Sequence, residues 1–465
     1  MVTDLDKAIS NNPKLAEAYI ARAELELVPG GSREKALSFV NKAIDELKNQ
    51  PEDLSKAYML RAGLQPSNAN KLADLSKSLE LNPANKEAWQ AKIAILLATQ
   101  KFDEAASEAE KLLEKDADNT IAFGAALDSF TQLKRFKDAI DLLTKRIEAN
   151  PKAGENYRWR GRVYLAQDAS KSEEEKDDNK FVDMALADFD KAIELNSKDH
   201  EALLFRGQLY LAKGETEKAN RDISDSLLLE PDSVQGVIMR SILAAQEKRW
   251  GDAIKDMELL VRLDPNNQNW VMQLASYYQA DDRPRLAIKL LDQLISREKT
   301  NWRAIRLRGD CKLAISQHKE AIDDYRRAVK AMESKKDDSE AQAPTDEDRS
   351  GLYNNLSWVL ATSPTDDLRN GKEALELALK ACEATEYKAA HILSTLAASY
   401  AETGDFEKAR EWAAKAVEAG KESDSEQQSQ LEKELESYKA NKPWREDQKT
   451  EENAKPIAVG EAIDT

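Results

Sequence analysis

A motif that ends in proline recurs along this chain at a spacing of 34 residues. Its clearest copies are Leu81-Asn82-Pro83, Ala149-Asn150-Pro151, Leu229-Glu230-Pro231 and Leu263-Asp264-Pro265. The last two prolines are 34 residues apart, and the first two are 68 apart, which is two periods. A period of this length is typical of a two-helix repeat, which cannot bury its apolar face alone and must stack on its neighbours. The sequence therefore predicts an all-α solenoid of about eleven helical hairpins.

The composition of the chain limits the kinds of partner that it is expected to bind. The 465 residues carry a formal net charge of −17, which disfavours nucleic acid and anionic membrane surfaces because both are bound through Lys and Arg. No apolar run approaches the 18 or so residues of a membrane span, and no signal-peptide pattern is present. The two cysteines, Cys311 and Cys382, lie about two repeats apart, too far for a disulfide, and are expected to be free thiols.

The apolar positions within each repeat follow one pattern. In the fourth unit, Trp89, Ile93 and Leu96 share one helical face, a turn follows, and Phe102 and Ala105 continue on a second helix. The runs Gln208-Leu209-Tyr210-Leu211-Ala212-Lys213-Gly214 and Ser399-Tyr400-Ala401-Glu402-Thr403-Gly404-Asp405-Phe406-Glu407-Lys408-Ala409 resemble the tetratricopeptide repeat (TPR) family. The resemblance covers residues 1 to about 420. It implies a TPR solenoid, a right-handed superhelix of antiparallel helical hairpins that binds proteins or peptides.

A second resemblance concerns the later part of the chain. The segment Asn354-Asn355-Leu356-Ser357-Trp358-Val359-Leu360-Ala361-Thr362-Ser363-Pro364, followed by Gly371-Lys372-Glu373-Ala374-Leu375, is similar to a C-terminal module of bacterial TPR proteins, notably those of planctomycetes. This similarity implies a bacterial origin. The chain also opens on what reads as a second helix without its first, which is typical of a product whose start has been removed. Such removal would favour an exported or periplasmic location over a cytoplasmic one for this acidic, soluble chain.

Departures from the period predict the domain organisation. The third unit is about three residues short near 65–68, the sixth carries 12 extra residues at 168–179, and 333–349 is an acidic stretch without apolar periodicity. The last of these is a candidate hinge. The predicted organisation is a TPR array with an N-terminal half-repeat and about nine hairpins (1–332), an acidic linker (333–349), two further hairpins (350–420), a capping helix (421–440) and a disordered tail (441–465).

Charged residues pair along the chain at a spacing that follows the repeat. Arg206 precedes Asp222 by 16 residues, and the spacing shortens or lengthens in the two units where the period does. The pairs are Arg61 with Asp74, Lys92 with Glu108, Arg160 with Asp188, Arg206 with Asp222, Arg240 with Asp256 and Arg308 with Asp324. An anion-binding ladder is one interpretation. We favour ion pairs that hold the two helices of each hairpin in register, and only Arg22, opposite Phe39, lacks such a partner.

The TPR resemblance also implies a ligand groove, lined by first-helix residues at about the second, fifth, ninth and twelfth positions of each unit. Carried onto this sequence, the candidate groove residues are Arg158, Arg162, Gln208, Gln235, Ile242, Asn269, Met272, Arg303, Arg306, Asn354 and Trp358. Guanidinium groups pair with carboxylates, so the groove favours a peptide with acidic residues or a free C-terminus. Ordinary solvated helix surface is the alternative.

No pattern of catalytic or metal-ligating residues accompanies the repeats. His200, His318 and His391 are not at metal-ligand spacing, and there is no Gly-rich phosphate loop. We therefore predict a non-enzymatic interaction scaffold or adaptor without metal or cofactor, which presents a groove to a peptide or partner protein. The alternatives are a structural protein that self-associates through its repeats, and an accessory TPR domain of a larger exported protein or machine.

Overall fold

Helices and short turns make up the structure, a computed structural model that describes residues 1–172, 179–334, 343–421 and 425–446. These residues contain 24 α-helices, one short 3₁₀ turn and no strand. The all-α class and the arrangement in successive hairpins are confirmed. The chain divides into two compact units, Met1–Leu229 and Glu230–Thr465.

The first unit holds one single helix followed by six hairpins. The single helix is α1 (Val2–Asn11). The hairpins are α2 (Ala16–Leu25) with α3 (Arg33–Glu46), α4 (Pro51–Leu64) with α5 (Asn68–Leu81), α6 (Lys86–Ala98) with α7 (Phe102–Lys115), α8 (Thr120–Gln132) with α9 (Phe136–Ala149), α10 (Gly154–Ala169) with α11 (Lys180–Leu195), and α12 (His200–Ala212) with α13 (Thr216–Leu229).

The second unit holds five hairpins and a final helix. The hairpins are α14 (Val234–Gln246) with α15 (Trp250–Leu263), α16 (Gln268–Ala280) with α17 (Pro284–Arg297), α18 (Trp302–Ala314) with α19 (His318–Ser334), α20 (Asp346–Thr362) with α21 (Gly371–Ala384), and α22 (Ala390–Glu402) with α23 (Phe406–Ala419). The 3₁₀ turn is Asp366–Leu368, and α24 is Ser425–Lys439.

Helix starts recur with the period because the same capping position recurs. Asn85, Asn119, Asn267 and Asn301 each precede the first helix of a hairpin, and each side chain accepts a hydrogen bond from a backbone N–H in the first turn. Such a cap satisfies one of the N–H groups that a helix leaves unpaired at its start, and it contributes about 1 kcal/mol. Polar caps that recur with the repeat therefore set where these four hairpins begin.

A turn with a left-handed backbone recurs inside several of the hairpins. Gln100, Lys134, Lys248 and Ser316 have φ between 56° and 59°, and they occupy the same position in their repeats. Gly214, which is 34 residues before Lys248, occupies that position with φ 73°. Glycine adopts this conformation without steric cost, whereas the other residue types are held there by the two helices that the turn joins.

The departures from the period lie mainly between helices. The 12-residue insert lengthens α10 and α11 to 16 residues each, and its positions 173–178 lie outside the described residues. The short third unit joins α4 to α5 through only residues 65–67. In the candidate hinge, α19 reaches Ser334 and α20 begins at Asp346, while 335–342 lie outside the described part. The hinge role stays a prediction.

Candidate functional site

The predicted ion pairs inside the hairpins are all present. Arg206 donates from Nε and Nη2 to the two carboxylate oxygens of Asp222 at 2.7 and 2.8 Å. The ion-pair distances of the six pairs, Arg61–Asp74, Lys92–Glu108, Arg160–Asp188, Arg206–Asp222, Arg240–Asp256 and Arg308–Asp324, lie between 2.5 and 3.0 Å. The hydrogen bond to Asp222 is the main cause that raises the pKa of Arg206. These side chains join helices and are not available as ligands.

A second arm of the same arginines reaches the preceding hairpin, which sequence reasoning missed. Arg206 Nη1 donates to Asp190 at 2.8 Å, and Arg308 Nη1 donates to Asp292 at 2.6 Å. Both aspartates lie 16 residues before the arginine, so the same spacing searched backwards would have found them. Arg22 obeys this rule too, since its Nε donates to Asp6 at 3.0 Å.

Arg22 lies opposite Phe39, as expected, and its ion-pair partners lie elsewhere. Besides Asp6, its guanidinium pairs with Glu26 at 2.6 Å and lies 5.1 Å from the centre of the Phe39 ring. The partner on α1 was missed because only the following helix was considered. An arginine at this position can thus be paired from either side.

A pocket opens between the first helices of two successive hairpins in the first unit. It has a volume of about 630 Å³ and lies between α8 and α10, and Arg146 of α9 also lines it. Phe123 and Leu127 line it from α8, and Trp159 and Val163 line it from α10. We call it the α8–α10 pocket. Its position between two first helices is the one that the TPR resemblance implies for ligand binding.

Two guanidinium groups stand over aromatic rings in the α8–α10 pocket. The Arg146 guanidinium lies 4.1 Å from the Phe123 ring centre, and that of Arg162 lies 4.5 Å from the Trp159 ring. Such stacking holds a planar cation over a ring face and leaves its N–H edge open to further hydrogen bonds. Within the described residues, buried Nη1 of Arg146 has no hydrogen-bond partner. A carboxylate in the pocket would supply one after the Arg146 side chain turns this buried nitrogen toward it.

The wall of the α8–α10 pocket also carries negative charge. Asp128 and Glu155, both exposed, line it together with Arg146 and Arg162. The pocket therefore joins an apolar floor to charges of both signs. Gly124 contributes open space, because a Cβ built there meets no heavy atom within 4 Å.

The other predicted groove residues of the first unit take different positions. Arg158 donates from Nη1 to both Asp199 oxygens at 2.5 Å and pairs with Glu201 at 3.0 Å. Its side chain therefore ties α10 to the start of α12, one helical turn away from Arg162. Gln208 is exposed on α12.

In the second unit, the predicted groove residues differ in how far their side chains are exposed. The exposed ones are Gln235, Ile242, Asn269 and Arg303, and the half-buried ones are Met272, Arg306, Asn354 and Trp358. Arg303 pairs with Asp348 of α20 at 2.9 Å. The Arg306 guanidinium lies so close to Gly351 that a Cβ there would be 2.8 Å from Nη2.

A buried polar cluster lies beside Arg306. Asp310 accepts hydrogen bonds from the Tyr325 hydroxyl at 2.7 Å and from Asn355 Nδ2 at 2.9 Å. Burial raises the pKa of Asp310. The cluster links α18, α19 and α20, so Asn355 acts as a helix-joining residue rather than as an exposed amide.

Asn354 and Trp358 face later parts of the same chain. They line a small cavity of about 270 Å³ together with His391 and Ser394 of α22 and Glu434 of α24. Trp358 Nε1 donates to the Glu446 carboxylate at 2.6 Å. Sequence reasoning missed this contact, because 88 residues separate its partners and no repeat relates them.

The described residues hold no group of three or more His, Cys, Asp or Glu placed to bind a metal ion. None of their helices combines the length and the apolar character that a bilayer crossing requires.

Similarity to known proteins is found mainly in structure. No curated protein matches this sequence. Yeast Tom70 is a structural neighbour with 14% identity and a TM-score of 0.41, and the match covers 92% of this chain and 96% of that one. A tetratricopeptide repeat protein from Parabacteroides merdae has 17% identity, a TM-score of 0.37 and coverage of 59% and 98%.

A third neighbour is a thermophilic TPR protein in Thermus thermophilus, with 18% identity, a TM-score of 0.34 and coverage of 42% and 98%. The sequence family described as tetratricopeptide repeat matches residues 91–155, 175–222 and 272–337, which together are less than half of the chain. The described residues of these stretches belong to the hairpins given above. The chain thus contains tetratricopeptide repeats, in both of its compact units.

Proposed function

We propose that this protein is a non-catalytic scaffold that binds a peptide or a partner protein on the inner faces of its hairpins. The α8–α10 pocket carries the proposal. It combines an apolar floor with a buried guanidinium nitrogen of Arg146 that has no partner among the described residues. A buried donor without an acceptor costs about 1–3 kcal/mol, and a ligand carboxylate would remove that cost once the Arg146 side chain turns toward it.

The chemistry of the pocket predicts the ligand. An apolar or aromatic side chain would fill the space between Phe123 and Trp159, while a neighbouring carboxylate would pair with Arg146 and Arg162. The carboxylate would come from an acidic residue or from a free C-terminus. Gln208 would extend this contact surface along the first unit.

The second unit offers further inner-face positions for the same function. The exposed side chains Gln235, Ile242 and Asn269 mix amide and apolar character, as contact surfaces for extended peptides do. We propose that they, with Met272, Arg303 and Arg306, contribute a second contact region.

Peptide display provides the test, because it works without an identified partner. Random peptides would be selected on the full chain, and the Kd of each enriched peptide would be measured for the wild type, Gly124→Phe and Gly124→Ala. Phe at this position fills the pocket, whereas Ala adds one methyl group in open space. We expect enriched peptides with an acidic residue beside an apolar one, a Kd weaker by about tenfold or more for Gly124→Phe, and little change for Gly124→Ala.

Charge recognition is tested separately. Replacing the acidic residue of an enriched peptide by its amide should weaken binding to the wild type by about tenfold, and much less to the double variant Arg146→Met with Arg162→Met. Equal binding of the peptide to the wild type and Gly124→Phe would refute the pocket as the site. Failure to enrich any peptide would count against peptide recognition by this chain.

A further inference from the structure

The described end of the chain, residues 442–446, folds back onto the last two hairpins. Arg445 Nη2 pairs with Glu402 at the end of α22 at 2.6 Å, and Glu446 accepts a hydrogen bond from Trp358 Nε1, also at 2.6 Å. We call these five residues the return segment. It therefore contacts both α20 and α22 through charged side chains.

The return segment also satisfies backbone groups that α20 leaves open. A helix has no internal partners for its last four carbonyl groups. Arg445 Nη1 donates to the Ala361 carbonyl at 3.2 Å, and the Glu446 N–H donates to the Thr362 carbonyl at 3.1 Å. Main-chain and side-chain bonds are therefore combined in one site, as in recognition of an extended peptide.

The turn after α24 aims the return segment at this site. Asn441 takes a left-handed conformation with φ 53°, and Arg410 of α23 donates to its Oδ1 at 2.9 Å. The Lys442 N–H donates to the Ser437 carbonyl at 3.0 Å, which closes the turn. The turn is thus fixed by hydrogen bonds that precede the site and do not involve it.

We propose that the face of α20 and α22 contacted here is a peptide-binding site whose occupant is the return segment. Its ligand is an extended peptide with an arginine followed by an acidic residue. Trp358 and Glu402 are the side chains that recognise this ligand, and the open carbonyl groups at the end of α20 align it. A partner segment of the same chemistry binds only after it displaces the return segment. This site lies in the second unit and is independent of the α8–α10 pocket.

Because the return segment is tethered to the site, it weakens the apparent affinity of any competing peptide. The return segment is tethered to α24 by a short connection, and a short tether gives an effective concentration in the millimolar range. The apparent Kd of a competitor rises by the inverse of the fraction of molecules in which the site is open. Weakening the return segment alone should therefore tighten the binding of an added peptide, without any change in the site.

The experiment uses the full chain and a fluorescent synthetic peptide with the sequence of residues 441–447, Asn-Lys-Pro-Trp-Arg-Glu-Asp. Binding is followed by anisotropy. The double variant Arg445→Ala with Glu446→Ala removes the side chains that hold the return segment and leaves the site unchanged. We expect it to bind the peptide with a Kd about tenfold or more below that of the wild type, because the site is open in a larger fraction of molecules.

A third variant keeps these two changes and adds Trp358→Phe, which keeps an aromatic ring at this position and removes the indole N–H. It should bind the peptide about fivefold more weakly than the double variant, with the same helical signal in circular dichroism. Equal Kd values for the wild type and the double variant would overturn the proposal. So would equal binding of a peptide with the same residues in scrambled order, or no binding to the double variant at millimolar peptide, which is the effective concentration of the tether.

Discussion

Arg206 and Asp222 face each other across a hairpin with two parallel hydrogen bonds of 2.7 and 2.8 Å. The aspartate is buried, with 4% of its side chain exposed, while the guanidinium extends further to Asp190 of the preceding hairpin. One side chain therefore sets the register within a hairpin and between two hairpins. A charged position of the repeat thus contributes to the stacking of successive hairpins, a role that apolar residues usually have.

Removal of the buried carboxylate should destabilise the first unit. Asp222→Ala leaves the Arg206 guanidinium half-buried without its main partner, and we expect a loss of about 3 kcal/mol in the free energy of unfolding. Urea denaturation followed by circular dichroism measures it. Lys137→Ala is the matched control, because its ion pair with Asp141 is exposed and screened by solvent, so its loss should change stability far less. A loss as small as that of the control would contradict the buried-pair interpretation.

Substitution by alanine should change the stability of the protein in opposite directions at two helical glycines. A Cβ at Gly161 would lie 2.8 Å from Cε1 of Phe189, a fully buried ring that cannot move aside, so Gly161→Ala should destabilise by about 1–3 kcal/mol. Gly124 faces open space, so Gly124→Ala should stabilise by about 0.5–1 kcal/mol through helix propensity. Thermal unfolding measures the change in stability of both variants. A change in the same direction for both would refute the packing argument.

The two cysteines should be unreactive in the folded protein. Cys311 and Cys382 are buried, and burial raises the pKa of each thiol to about 12. The reactive thiolate is therefore nearly absent at about pH 8. We expect no reaction with Ellman's reagent over minutes at that pH, and two thiols per chain after addition of guanidinium chloride. Rapid labelling of the native chain would show that one of these sites opens.

Glu434 should make stability depend on pH. Burial on α24 raises its pKa above the ordinary value of 4.5, although Ser394 donates a hydrogen bond to it. The folded state therefore holds the proton more tightly, so this contribution is complete below pH 4.5 and is lost as the pH rises through the folded pKa. The amount lost is about 1.4 kcal/mol for every tenfold difference in proton affinity between the two states.

Glu434→Gln removes this dependence, because the amide keeps the shape of the protonated acid. The variant should be more stable than the wild type at about pH 8, and the difference should vanish near about pH 4, where the carboxyl is protonated in both states. Melting temperatures of both proteins across this range provide the measurement. A stability difference that stays constant with pH would mean that Glu434 does not titrate in the folded chain.

Much of the local structure could be predicted because it depends on residues close in sequence. Asn119 caps α8 through a bond to Ala122, three residues on, and the Arg206–Asp222 pair spans one turn between two helices. Such contacts repeat with the period, so a regular pattern of residue types is enough to locate them.

The candidate groove could be predicted only in outline. Arg158 and Arg162 are one helical turn apart on the same helix, are the same residue type and had the same expected role. The structure places Arg158 on Asp199, 41 residues later, and leaves Arg162 stacked on Trp159. Nothing within the repeat distinguishes them, because the difference arises from the neighbouring hairpin.

The period of 34 residues, read alone, was enough to predict the helical hairpins and the ion pairs that hold them together, because these interactions are local and periodic. The α8–α10 pocket and the contact of Glu446 with Trp358 required the folded chain. The pocket and this contact both depend on which side chains find partners in neighbouring helices. That is decided by distances that exist only after the hairpins have packed.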